Sequence, residues 1–146
     1  MNNTDDKYSS LQIDQFYTAK ADYAGVTPNI YINTPSTPVT ALIYGSGPML
    51  TQDFAIQHRG YLYARQTGTY TFYNVVVGDA AWLWIGQTAY SGYTRANVAL
   101  FDYAHSGAKS YTQTLTAGTY YPIRLLYANG QLNGNLQFNI TAPNGE

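Results

Sequence analysis

Apolar and polar positions alternate with a period of two through most of the chain after Phe54, which is the signature of half-buried strands rather than helices. Gly60 to Val77 reads as two strands about the Gly-containing turn Gln66-Thr67-Gly68, and Tyr70 and Phe72 alternate there with Thr69, Thr71 and Tyr73. Ala80 to Ile85 is apolar throughout, as in a strand buried on both faces, with Trp82 and Trp84 on one side and Leu83 and Ile85 on the other. Tyr111 to Leu115 forms a further strand. After the turn Ala117-Gly118, Tyr121, Ile123, Leu125 and Tyr127 line one face of the next. Leu136, Phe138 and Ile140 then alternate with Gln137, Asn139 and Thr141. Thr67-Gly68-Thr69-Tyr70 and Ala117-Gly118-Thr119-Tyr120 are alike, and both read as hairpins. His58-Arg59 reads as a solvated strand edge.

The first fifty residues are less regular. Leu11 to Tyr17 is expected to be a first strand, and Ile30 and Ile32 about Tyr31 a short edge strand; Pro28, Pro35, Pro38 and Pro48 break any helix. No window has helical periodicity. The expected fold is all-β: a single antiparallel, jelly-roll-like β-sandwich over residues 11–146, preceded by a flexible tail over 1–10.

Composition narrows what such a sandwich can do. Seven basic and eight acidic residues in 146 give a net charge of -1, which leaves no field for a polyanion and argues against nucleic acid. Charged residues are 10%, well under the usual quarter, while sixteen Tyr give a polar but uncharged surface. Without Cys there are no disulfides, thiolate nucleophiles or Cys-bound zinc. The polar start lacks the apolar core of a signal peptide, and no apolar run is long enough to enter a membrane.

Enzyme chemistry finds little to work with. The only Glu is Glu146, and Asp14, Asp22, Asp53, Asp79 and Asp102 are scattered in sequence. Neither His58 nor His105 accompanies a Ser in a nucleophile setting, so a non-enzymatic role is expected. Two loops carry more weight. Val77-Gly78-Asp79-Ala80 joins two apolar strands; its Asp either caps a turn or offers a carboxylate to a hard cation. Tyr127 to Asn135 holds three Asn and two Gly, which either accommodate a left-handed backbone or offer amide and carbonyl oxygens. Asp102 and His105, read as one loop, are weaker ligand contacts. Asn139-Ile140-Thr141 is a glycosylation sequon on a polar strand face.

Asp79-Ala80-Ala81-Trp82-Leu83-Trp84-Ile85-Gly86 resembles the corresponding strand of GLEYA-type fungal adhesin domains. Thr67 to Phe72, Ser91 to Asn97, Gly118 to Arg124 and Leu136 to Gly145 are similar to further stretches in the same order. The resemblance runs from about Phe54 onward. It implies a flocculin-like sandwich of the protective-antigen type that binds glycans through calcium. In that family two consecutive Asp joined by a cis peptide hold the ion, an Asn and backbone carbonyls of a second loop complete the set, and sugar hydroxyls bind the ion directly. Carried over residue by residue, Asp79 matches the second Asp and Asn129 the Asn, with Gly130, Gln131 and Asn133 beside it. Gly78 stands where the first Asp is expected, which removes one charge from the site.

Three readings follow. The first is a calcium-assisted lectin. The second is a calcium-independent module in which Trp82, Trp84, Tyr90 or Tyr93 stacks on a pyranose. The third is a self-associating β-sandwich that has lost the ligand. Homo-oligomers would add avidity. The resemblance places the chain at the fungal cell wall as an adhesin domain; without Cys or a signal peptide, a free-standing cytoplasmic lectin is the alternative.

Overall fold

The computed structural model describes residues 13–146. The expected tail over 1–10 and the first two residues of the expected strand over 11–17 lie outside them. The rest of that segment is a turn and a four-residue helix, α1 (Gln15–Thr18), and not a strand. The reason is spacing. Ile13 and Phe16 stand three apart, so a helical turn sends both into one cluster, where Ile13 is 3% exposed and Phe16 half-buried.

Ten strands follow: β1 (Tyr31–Asn33), β2 (Thr40–Ile43), β3 (Ser46–Leu50), β4 (Phe54–Tyr63), β5 (Gly68–Gly78), β6 (Ala80–Ile85), β7 (Leu100–Tyr103), β8 (Ser110–Leu115), β9 (Tyr120–Asn129) and β10 (Asn135–Thr141). A second short helix, α2 (Gln87–Tyr90), and a 3-10 turn (Arg95–Asn97) lie between β6 and β7. The strands make two four-stranded antiparallel sheets, ordered β1-β10-β5-β8 and β4-β9-β6-β7, with β2 and β3 paired separately. The expected antiparallel sandwich is present, and β1 is an edge strand as read from Ile30 and Ile32.

The turns differ from expectation. Neither β4 and β5 nor β8 and β9 pair with each other, so the two similar Gly turns are crossings between sheets rather than hairpins. A local Gly turn between period-two runs looks the same in either case; only the partner strand decides. The two crossings sit side by side. Ala64 N–H donates to the Thr119 carbonyl (3.0 Å), Gly118 N–H to the Ala64 carbonyl (2.8 Å), and Ala117 N–H to the Thr67 hydroxyl (2.9 Å).

The core lies between the sheets, built from Phe72 of β5, Leu83 of β6, Leu125 and Tyr127 of β9 and Leu136 of β10, all at most 1% exposed. The alternations read from β9 and β10 therefore point inward as expected. The β4-β9-β6-β7 sheet is also covered on its outer face, where Trp82 (1%), Trp84 (0%), Leu126 (0%) and Tyr93 (3%) pack under α1 and the segment after β6. Trp84 donates its indole N–H to the Thr94 carbonyl at 2.9 Å, and Trp82 stacks on Phe101 with centroids 5.1 Å apart. Arg124, 7% exposed, lies 4.1 Å from the Tyr93 ring and donates to Gln57 Oε1 (2.6 Å) and the Ala89 carbonyl (2.9 Å).

His58 corrects another expectation. Although β4 is an edge strand, the ring of His58 is packed inside. Its Nε2 lies 3.0 Å from the Tyr44 hydroxyl, and the rings meet edge to face. Burial pushes its pKa down to about 4 against a smaller opposing effect of the Leu125 backbone, and burial raises Tyr44 to about 12. Arg59 beside it is exposed, as expected. Among the described residues no helix is long and apolar enough to cross a membrane.

Candidate functional site

The two loops singled out in the sequence meet at one end of the sandwich. Strand pairing explains why. β5 ends at Gly78 opposite Asn135, the first residue of β10, while β9 ends at Asn129 opposite Phe54, the first residue of β4. The β5–β6 junction, the β9–β10 loop and the turn before β4 are thus gathered together.

Asp79 sits between Gly78 and Ala80, half-buried. Its Oδ2 accepts the Gly130 N–H at 2.5 Å, and its own carbonyl accepts the Ala104 N–H at 2.7 Å. The Asp53 N–H donates to the Gly130 carbonyl at 2.9 Å. Two Asp from distant parts of the chain therefore hold opposite ends of one glycine. A Cβ placed on Gly130 would lie 3.3 Å from Asp79 Oδ2 and 3.9 Å from Asp53 Oδ1. Both carboxylates thus have an oxygen within 4 Å of the Cβ position of residue 130.

Asn129 is buried beneath them, 3% exposed. Its amide donates to the Thr51 carbonyl and the Gly130 carbonyl, both at 3.2 Å, and its Oδ1 is 3.4 Å from the donating Tyr127 hydroxyl. Tyr127 also donates to the Gly78 carbonyl at 2.8 Å. Around this, Gly134 N–H donates to the Thr34 hydroxyl (2.7 Å), Thr34 N–H to the Gly134 carbonyl (2.8 Å), and Val39 N–H to the hydroxyl of the fully buried Thr51 (3.2 Å). Gln131 and Asn133 are exposed at the rim, with Leu132 between them in the left-handed region (φ 72°). Of the sequence-selected residues, Gly78, Asp79, Asn129 and Gly130 come together, and Gln131 and Asn133 border them.

Gly78 is tight. A Cβ there would lie 3.3 Å from the Asn135 backbone nitrogen and 3.6 Å from the Asn133 carbonyl, so an Asp in its place would need the start of β10 to give by a few tenths of an ångström. The one cis peptide among the described residues is Gly47–Pro48, and Gly78–Asp79 is trans.

Asp53 was not selected from sequence. It is one of several scattered Asp, and it reaches the site only because β4 pairs with β9. Its left-handed backbone (φ 53°), a conformation Asp tolerates, marks the turn that carries it there.

The other candidates lie elsewhere. Asp102 is on β7, not in a loop, and 3% exposed; it accepts from Asn74 (3.2 Å), the Ser106 hydroxyl (2.5 Å) and the Tyr103 N–H (2.9 Å). His105 is exposed in the following turn at φ 67°. Trp82, Trp84 and Tyr93 are core and offer no ring face to a sugar; Tyr90 is 65% exposed. Asn139 lies half-buried on β10 opposite Tyr73.

Residues 54–142 match the GLEYA domain family, more than half of the chain, and the chain belongs to that family. It is 29% identical over 119 residues to the Schizosaccharomyces pombe protein pfl4, named for cell agglutination, covering 77% of this chain and 19% of that protein. It is 29% identical over 103 residues to the flocculation protein FLO1 of Saccharomyces cerevisiae, covering 62% of this chain and 7% of that one. The chain thus spans a minor part of these relatives. Its fold is that of the epithelial adhesin 9 A domain of Candida glabrata, solved with Galβ1-4GlcNAc (TM-score 0.66, 20% identity, 81% of this chain and 62% of that one). The epithelial adhesin 6 A domain, solved with Galβ1-3GlcNAc, superposes equally (TM-score 0.66, 20% identity, 79% and 58%).

The residues present suit a hard cation of the kind the family implies. The donors are oxygens only, and one oxygen each of Asp79 and Asp53 lies beside Gly130, which has no side chain. Among the described residues no three His, Asp or Glu gather, so neutral oxygens must complete any coordination.

Proposed function

We propose that this chain is a carbohydrate-binding adhesin module whose glycan site is the loop end of the sandwich formed by Gly78-Asp79, Gly130 and the rim residues Gln131 and Asn133, with calcium assisting. The observation that carries the reading is the convergence of Asp79 on the open space at Gly130, in a chain of the GLEYA family. Calcium bound there would present a Lewis-acidic point to vicinal sugar hydroxyls. The chain's own residues do the rest. Asp79 contributes charge; Asn129, with its amide bound to the Thr51 and Gly130 carbonyls, fixes the loop, and its Oδ1 is the family's ligand position. The carbonyls and amides of Gln131 and Asn133 line the rim. The preformed loop lowers the ordering cost of binding a flexible glycan.

The site and the relatives support a role in recognising cell-surface or cell-wall glycans outside the cell, without turnover of the sugar. Multivalent display, by self-association or as one domain of a longer protein, would convert weak single-site affinity into adhesion. A glycan array probed with calcium and then with EDTA tests the reading. Binding that EDTA reduces supports it. Binding unchanged by EDTA removes calcium and keeps the sugar, and silence across the array at high calcium leaves only a self-association role.

A further inference from the structure

The GLEYA-type site is expected to place two acidic charges on the ion from adjacent residues, and this chain has Gly78 in the first position. Affinity for a hard cation depends on ligand charge. Gly78 itself supplies no carboxylate, and a Cβ there would already lie 3.3 Å from the Asn135 backbone nitrogen, so a second charge has to come from another part of the chain.

We propose that Asp53, carried by the turn before β4, is the second carboxylate of the cation site and replaces the charge lost at Gly78. This rests on the calcium-assisted reading above. Asp53 Oδ1 and Asp79 Oδ2 lie 3.9 and 3.3 Å from one common point, the Cβ position of Gly130. Asp79 holds the amide side of that residue and Asp53 the carbonyl side. The Asp53 backbone is pinned from behind: Asn129 ties the Thr51 carbonyl two residues earlier to the Gly130 carbonyl that Asp53 itself binds. Asn129 in this arrangement is a positioning residue for Asp53. The position also asks for glycine at 130, since any side chain there would occupy the space between the carboxylates. Gly130 does not lie in the left-handed region, so its lack of a side chain answers to that space rather than to the backbone.

The test measures calcium binding by titration calorimetry and terbium luminescence on the whole chain, with thermal melts in EDTA as the folding control. Asp53→Asn keeps the backbone donor and tolerates the same left-handed conformation. It is expected to lower calcium affinity at least about tenfold while leaving the melt in EDTA unchanged. Gly130→Ala, which fills the space between the carboxylates, is expected to lower calcium affinity likewise. If the wild type binds calcium and Asp53→Asn binds it equally, Asp53 is not a ligand and the proposal fails while the calcium reading stands. If the wild type binds no calcium, both fail together, and the glycan array alone decides whether the sugar site remains.

Discussion

The two ends of the sandwich are closed in different ways. At one end the crossings β4–β5 and β8–β9 lock backbone to backbone through Ala64, Thr119 and Gly118, and the hydroxyls of Thr67, Tyr70 and Tyr121 bind backbone groups around them. At the other, backbone bonds from Asp53 to Gly130 and from Thr34 to Gly134 are joined by carboxylate, amide and hydroxyl side chains: Asp79 and Asn129 hold Gly130, and the Thr34 hydroxyl holds Gly134. The bonds that lock the first end use backbone groups and hydroxyls, with no carboxylate among them. Side-chain closure leaves carboxylate oxygens with further acceptor capacity around a glycine. The similar sequences at the first end therefore mark architecture, and the dissimilar loops at the second are where the glycan site is proposed.

Four perturbations break or sharpen that contrast. The largest acts on the sheet between the ends. His58 is held at a pKa of about 4, below its unfolded value of about 6.5, so the unfolded chain binds the extra proton first. Stability is full above pH 6.5 and falls as pH drops toward 4, by up to about 3 kcal/mol. Denaturant titrations across that window should show the loss, and His58→Leu should flatten it. Any decline in calcium binding that survives in that variant then belongs to the carboxylate end.

Next, Asn129→Ala removes the amide that bridges the Thr51 and Gly130 carbonyls. It is expected to cost about 2 kcal/mol in chemical denaturation and to weaken glycan binding as the loop loosens. Gly118→Ala, at φ 81° in the opposite end, should cost about 1 kcal/mol and leave glycan binding unaltered. Thr67→Ala removes the hydroxyl that binds the Ala117 N–H at that end, for about 0.5–1 kcal/mol, again without effect on the sugar. A loss of glycan binding in either of the last two would contradict the division of labour between the ends.

Much of this was legible in the chain. The inward faces of β9 and β10 and the split faces of Trp82/Trp84 and Leu83/Ile85 follow from period two alone. What alternation could not show was which sheet each strand joins, so the two Gly turns read as hairpins. The apolar run marked both faces of β6 as buried, but it could not show what covers Trp82 and Trp84, because that cover is built from α1 and the segment after β6, elements too short to display a helical period. The loops of Asp79 and Asn129 stood out by composition. Asp53 did not, since its meeting with Asp79 is a product of β4–β9 pairing across 75 residues of register (Phe54 to Asn129). His58 was misjudged for a related reason: an edge strand looks solvated until the β2–β3 hairpin brings Tyr44 over it.

The most direct measurement of the central claim is a glycan array run on the wild type with calcium, on the wild type with EDTA, and on Asp79→Asn with calcium. Saccharide binding in the first condition that falls in both of the others is the expected result. Binding that persists unchanged in Asp79→Asn would place the sugar elsewhere on the molecule and contradict the assignment of the loop end as the site.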